Sequence, residues 1–143
     1  MKTTRWPILV MISAMVWLGG CATMNDVATS KESGVSAVYS VTAEQAWDIA
    51  KTVFRWEGAD AIEEHHNDGY MLTSSGMNLV SWGAVMAAWI DAVDLNNTKV
   101  TILTKRRIST NVATTLTEGT FHKRFAQAVA ILKSGQPLPQ KAP

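Results

Sequence analysis

The sequence predicts an α+β fold: a two-layer sandwich in the order β-α-β-β-β-β-α, with a mostly antiparallel sheet and two helices on one face. Three observations lead there. Two segments carry apolar residues at spacings of three and four, the period of a helix with one buried stripe. Five segments instead alternate with a period of two, and the links between the middle ones are of hairpin length, which favours antiparallel neighbours. At 143 residues, one domain is the natural size.

Val35, Ala37, Tyr39 and Val41 alternate with Ser36 and Ser40, predicting a first half-buried strand. Thr42-Ala43-Glu44-Gln45 has the form of a capping box, so a helix should begin there. Its face is Ala46, Ile49, Ala50, Val53 and Phe54 with Trp47 beside it, and Gly58 stands at the C-terminal cap. Ala59 to His66 forms a second, less regular strand, and Asn67-Asp68-Gly69 supplies a tight turn into a third, Tyr70 to Ser75. Trp82 to Val93 reads as a longer strand whose two faces are both apolar enough to need cover. Asp94-Leu95-Asn96-Asn97 turns the chain into Thr98 to Ile108. After a Thr-rich connection, Phe121, Phe125, Ala128, Val129 and Leu132 mark the last helix, Glu118 to Lys133, with His122 pointing away from the stripe. Gly135 and Pro137 end it.

The start of the chain is different in kind. Lys2 and Arg5 precede an apolar run, Ile8 to Leu18, that would span only about 16 Å as a helix against roughly 30 Å of bilayer hydrocarbon. A charged start followed by a short apolar core is the pattern of an export signal rather than a transmembrane helix. Gly19 and Gly20 break it just before Cys21, the single cysteine of the chain. A lone cysteine makes no internal disulfide, and its alternative is a buried free thiol.

Leu18-Gly19-Gly20-Cys21 resembles the lipobox of bacterial lipoproteins. The resemblance implies a diacylglycerol on the Cys21 sulfur, cleavage just before that residue, and acylation of the new amine. More than one acyl chain is what stable anchoring requires, at about 0.8 kcal/mol per buried CH₂. Ala22 rather than aspartate after the cysteine implies delivery to the outer membrane, facing the periplasm.

The expected organisation is therefore a signal peptide (1–20), a lipidated N-terminus and flexible tether (21–34) reaching roughly 40 Å at most, a single domain (35–135) and a loose tail (136–143). Removing residues 1–20 takes away Lys2 and Arg5, leaving 11 basic against 12 acidic residues, a balance that does not suit nucleic acid. The order of elements is also similar to small helix-grip-type domains. "TKVTILTKRR" followed by "FHKRFAQAVAIL" is similar to uncharacterised proteobacterial lipoproteins of unknown function. That second resemblance implies a fold and no activity.

Glu63-Glu64-His65-His66-Asn67-Asp68 is the most chemical-looking cluster, of types that suit zinc or copper. Strand alternation puts Glu63 and His65 on one face and Glu64 and His66 on the other, so neither half makes a full site. No metal is expected, with His65 and His66 as the candidate ligands if one binds, and otherwise a polar strand end. Lys105 and Arg107 share a strand face and could meet anionic lipid or peptidoglycan, or simply be a solvated sheet surface. Trp82 and Trp89 could form a contact surface for a partner, against the ordinary alternative of core packing; Trp47 reads as core.

No catalytic residue is expected: the chain lacks H-E-x-x-H, C-x-x-C, G-x-S-x-G, a P-loop and G-x-G-x-x-G. The expected function is a non-enzymatic envelope module, without cofactor beyond its lipid, that contacts the membrane through Cys21 and binds an envelope protein or peptidoglycan. The alternative is a small ligand-binding, metal-binding or enzymatic module using the gap between sheet and helices.

Overall fold

A computed structural model describes residues 23–75, 83–106 and 117–143. Its elements are α1 (Met24–Ala28), β1 (Val35–Tyr39), α2 (Ala43–Trp56), β2 (Ala59–His65), β3 (Tyr70–Ser75), β4 (Ala84–Ala92), β5 (Thr98–Arg106) and α3 (Glu118–Lys133). The sheet has the order β1-β5-β4-β3-β2, with every neighbouring pair antiparallel. Three consecutive hairpins build β2 to β5, while α2 carries the chain from one edge, β1, to the other, β2.

The α+β sandwich is the predicted one. Thr42 Oγ1 accepts the Gln45 N–H while Gln45 Oε1 accepts that of Thr42, so the capping box fixes where α2 starts. The α2 stripe of Ala46, Ile49, Ala50, Val53 and Phe54 is buried throughout. Gly58 follows the helix at φ 81°, a conformation in which glycine carries no Cβ penalty. Phe121, Phe125, Ala128 and Val129 of α3 are buried against α2 and the sheet. The rings of Phe54 and Phe121 lie 5.2 Å apart and those of Tyr39 and Phe125 4.4 Å apart. Phe54, Phe121 and Phe125 are fully buried, and each such ring contributes on the order of 2 kcal/mol by removal from water. Glu118 Oε1 accepts the backbone N–H of Thr104 at 2.7 Å, where β5 has run past the end of β1, so the first turn of α3 also closes the sheet.

The expected tether is folded from residue 23 onward. Thr23 and Asp26 form a capping box that starts α1, and Val27 is fully buried among Leu72, Val85, Ala87, Trp89 and Leu103 on the sheet face opposite α2 and α3. The physical reason lies in β4 and β5. Their alternate residues leave apolar side chains on both faces, and α1 covers the second. Lys105 Nζ donates to the Asp26 carbonyl (2.9 Å) and to Ser30 Oγ (2.8 Å), and Lys31 pairs with Asp91 at 2.8 Å. The chain then enters β1 through Gly34, where a Cβ would lie 2.7 Å from Thr101 Cγ2 and 2.9 Å from the Ile102 carbonyl.

The tail is likewise held where a loose end was expected. Leu138 packs against the main core, and the Trp56 indole N–H donates to the Pro139 carbonyl at 2.9 Å. His122, expected to face away, joins α3 to β1. Its Nε2 lies 3.0 Å from the Val35 carbonyl and so must donate, which leaves Nδ1 to accept from the Tyr39 hydroxyl at 2.8 Å. Burial pushes that hydroxyl up to about 12.

Candidate functional site

A cleft of about 510 Å³ lies between the first turns of α2 and the β2–β3 turn. The α2 spacing puts Glu44, Trp47, Asp48 and Lys51 on one side, at i, i+3, i+4 and i+7. The opposite wall comes from β2. Glu64 stands across from Met71, a core residue, so Glu64 shares the face covered by α2. His66 follows in a 3₁₀ turn, His66–Asp68, that ends at Gly69 in the left-handed region, φ 71°.

Glu64 is the hub. Its Oε2 accepts the Trp47 indole N–H at 2.6 Å and lies 3.1 Å from His66 Nε2, while Oε1 faces Lys51 Nζ at 2.7 Å. The Lys51 ammonium first and the indole N–H second hold its carboxyl down at about 2, against the opposing effect of desolvation. His66 stacks on Trp47, ring centroids 4.1 Å apart and planes 24° from parallel, yet its side chain stays 66% exposed. A carboxylate ionised across the physiological range and occupied by three partners orients its neighbours; it is poorly suited to shuttling protons. Glu44 and Asp48 line the same cleft, exposed and without an ion-pair partner among the described residues.

The sequence cluster divides as alternation predicts. His65 leaves for the other face, where its Nε2 meets Glu63 Oε1 at 2.7 Å and its ring stacks on Tyr70 at 4.5 Å. Among the described residues no group of three or more His, Cys, Asp or Glu is placed to hold a metal ion.

The other sequence candidates fall elsewhere. Trp89 is buried beneath α1 and presents no open contact surface. Lys105 is engaged by the Asp26 carbonyl of α1 and by Ser30, which a reading of β5 alone as a solvated face could not anticipate. Cys21, Trp82 and Arg107 lie outside the described residues. Sequence reasoning missed Trp47, Lys51, Glu44 and Asp48 as a site. The i, i+4 and i+7 spacing of the charged residues on α2 was visible, but nothing in it points to β2. No family model, no curated protein and no solved structure matches the chain, so its relation to other proteins rests on the residues and geometry described above.

Proposed function

We propose that the protein is a lipid-anchored module of the bacterial outer membrane, facing the periplasm, that works by binding an envelope protein or peptidoglycan rather than by covalent chemistry. The observation that carries the binding reading is the state of Glu64. The best-equipped carboxylate of the cleft is ionised and saturated by Lys51, Trp47 and His66, a rigid recognition surface rather than an acid–base pair. The anchor reading rests on Leu18-Gly19-Gly20-Cys21. Confinement by acyl chains raises the effective concentration of the domain toward envelope partners without any new contact.

A photocrosslinking side chain placed at Asp48 in living cells tests the binding reading. One discrete adduct, lost when Glu64 is replaced by Lys, supports it; no adduct above that of a label on the outer face of α3 refutes it. For the anchor, Cys21→Ala should leave the precursor uncut and abolish incorporation of a palmitate analogue.

A second reading has its own support. Glu44 and Asp48 add to the cleft two carboxylates without an ion-pair partner among the described residues, which suits a small cationic ligand held beside the exposed face of His66. Chemical-shift changes at the Trp47 indole N–H on adding an organic diamine, absent in Glu44→Gln/Asp48→Asn, would favour it.

A further inference from the structure

We infer that the sheet face carrying α1 is the membrane-facing side of the protein, lying directly on a phospholipid headgroup surface, with α2, α3 and the Glu64 cleft turned outward. This rests on the lipid-anchor reading of Cys21. Cys21 precedes Thr23, the N-cap of α1, by two residues, and two peptide units span at most about 7 Å. Had α1 been part of a free tether, the domain could have stood off at any angle. It is instead fastened to the body: Val27 is fully buried, Lys105 holds the Asp26 carbonyl in the middle of the helix, and Lys31 is paired with Asp91.

The position of α1 sets the orientation. It packs over β3, β4 and β5, the central strands of the five, so the attachment point stands over the middle of a sheet face. A rigid body leashed that tightly at the middle of one face turns that face to the surface. What the rest of the face exposes suits a headgroup layer. Val38 is 59% exposed, and the registers Val38↔Lys99 and Lys99↔Asp91 place it in one row with a half-exposed ammonium on the α1 side. Lysines 31, 99 and 105 stand against Asp26, Glu63 and Asp91, so charge contributes little and the short leash does most of the orienting. The outer surface of α3 then stands roughly 20 Å farther from the bilayer, by the usual spacing of packed layers.

The test uses the full, lipidated protein in phosphatidylethanolamine–phosphatidylglycerol vesicles. Because lipid occupies the Cys21 sulfur, single cysteines introduced at Asn25, Val38, Lys123 and Gln127 can each take a fluorophore cleanly. Nitroxide lipids labelled in the headgroup should quench the Asn25 and Val38 labels several-fold more than those on α3 at Lys123 and Gln127, and the difference should persist in high salt. A Gly-Ser spacer of about 12 residues inserted between Ala22 and Thr23 should remove it. Vesicle-bound protein quenched equally at all four positions, or more strongly on α3, overturns the orientation alone. Protein that fails to float with the vesicles overturns the anchor reading and the orientation with it.

Discussion

Replacing Glu64 by Gln removes one charge from the centre of the cleft while keeping its shape, so its cost reports what the charge does. Glu64 offers one oxygen to Lys51 and the other to Trp47 and His66. Whichever way the new amide points, its NH₂ confronts at least one donor, so a partner is left without an acceptor. A hydrogen bond to a charged group contributes roughly 1.5–3 kcal/mol, and the side chain is 26% exposed, so solvent competes for it. The expected loss at neutral pH is about 1–2 kcal/mol.

The pH dependence separates charge from shape. The folded carboxyl titrates at about 2 against a reference of 4.5, so its stabilisation is present above the reference value and disappears as pH falls through the folded one. Glutamine binds no proton, and every other carboxylate is common to both proteins. The stability gap between wild type and Glu64→Gln should therefore be full near neutrality and much reduced at about pH 3. Urea unfolding of residues 22–143 followed by tryptophan fluorescence measures both gaps. Equal gaps at the two pH values would refute the assignment of Glu64 as an ionised hub.

Three further substitutions probe the parts that hold the site in place. Val27→Asp forces a carboxylate under α1 or releases the helix; release should cost about 2 kcal/mol of apolar contact and speed tryptic cleavage at Lys31 while α2 and α3 stay protected. Gly34→Ala drives a Cβ to 2.9 Å from the Ile102 carbonyl, a backbone atom with little freedom to yield, so the melting temperature should fall by an amount equivalent to about 1–3 kcal/mol; an unchanged value contradicts the close approach. Tyr39→Phe loses the bond to His122, about 1 kcal/mol at neutral pH. Because the Tyr39 hydroxyl is raised from 10.0 to about 12, wild type should also lose stability as pH climbs through that window while the variant loses less, as alkaline urea titrations would show.

Most of the fold was legible because its signals are local and repeated. The α2 stripe runs through 14 residues and the α3 stripe through 16, long enough for a period to declare itself, and the adjacency of β2 to β5 follows from hairpin-length links, whereas the place of β1 beside β5 does not. Helix α1 escaped for the opposite reason. Five residues make less than two turns, and Val27 is its one fully buried side chain, so no period exists to detect. What could be read was the demand for it, in the apolar second face of β4, together with the cap at Thr23 and Asp26. The cleft was half legible. Alternation assigned Glu64 and His66 to one face, but Trp47 lies 17 residues from Glu64 and meets it only because α2 crosses the sheet from one edge strand to the other.

Parity along the strands decides which residues the two sides of this protein can use. Registers across β2, β3 and β4 pair Glu64 with Met71 and His65 with Tyr70, then Met71 with Ala88 and Tyr70 with Trp89. One step along any of these strands therefore moves a side chain from the cleft side to the side covered by α1. Trp89 and Lys105, the residues whose chemistry suggested partner contacts, sit on the α1 side and are consumed in docking that helix. Ile90, one step from Trp89, lines the cleft with Glu64 instead. If Cys21, two residues before the N-cap of α1, carries a lipid as proposed, that lipid would lie on the side of the sheet opposite the cleft. On that proposal a periplasmic partner would reach Glu44, Asp48 and His66 without displacing α1.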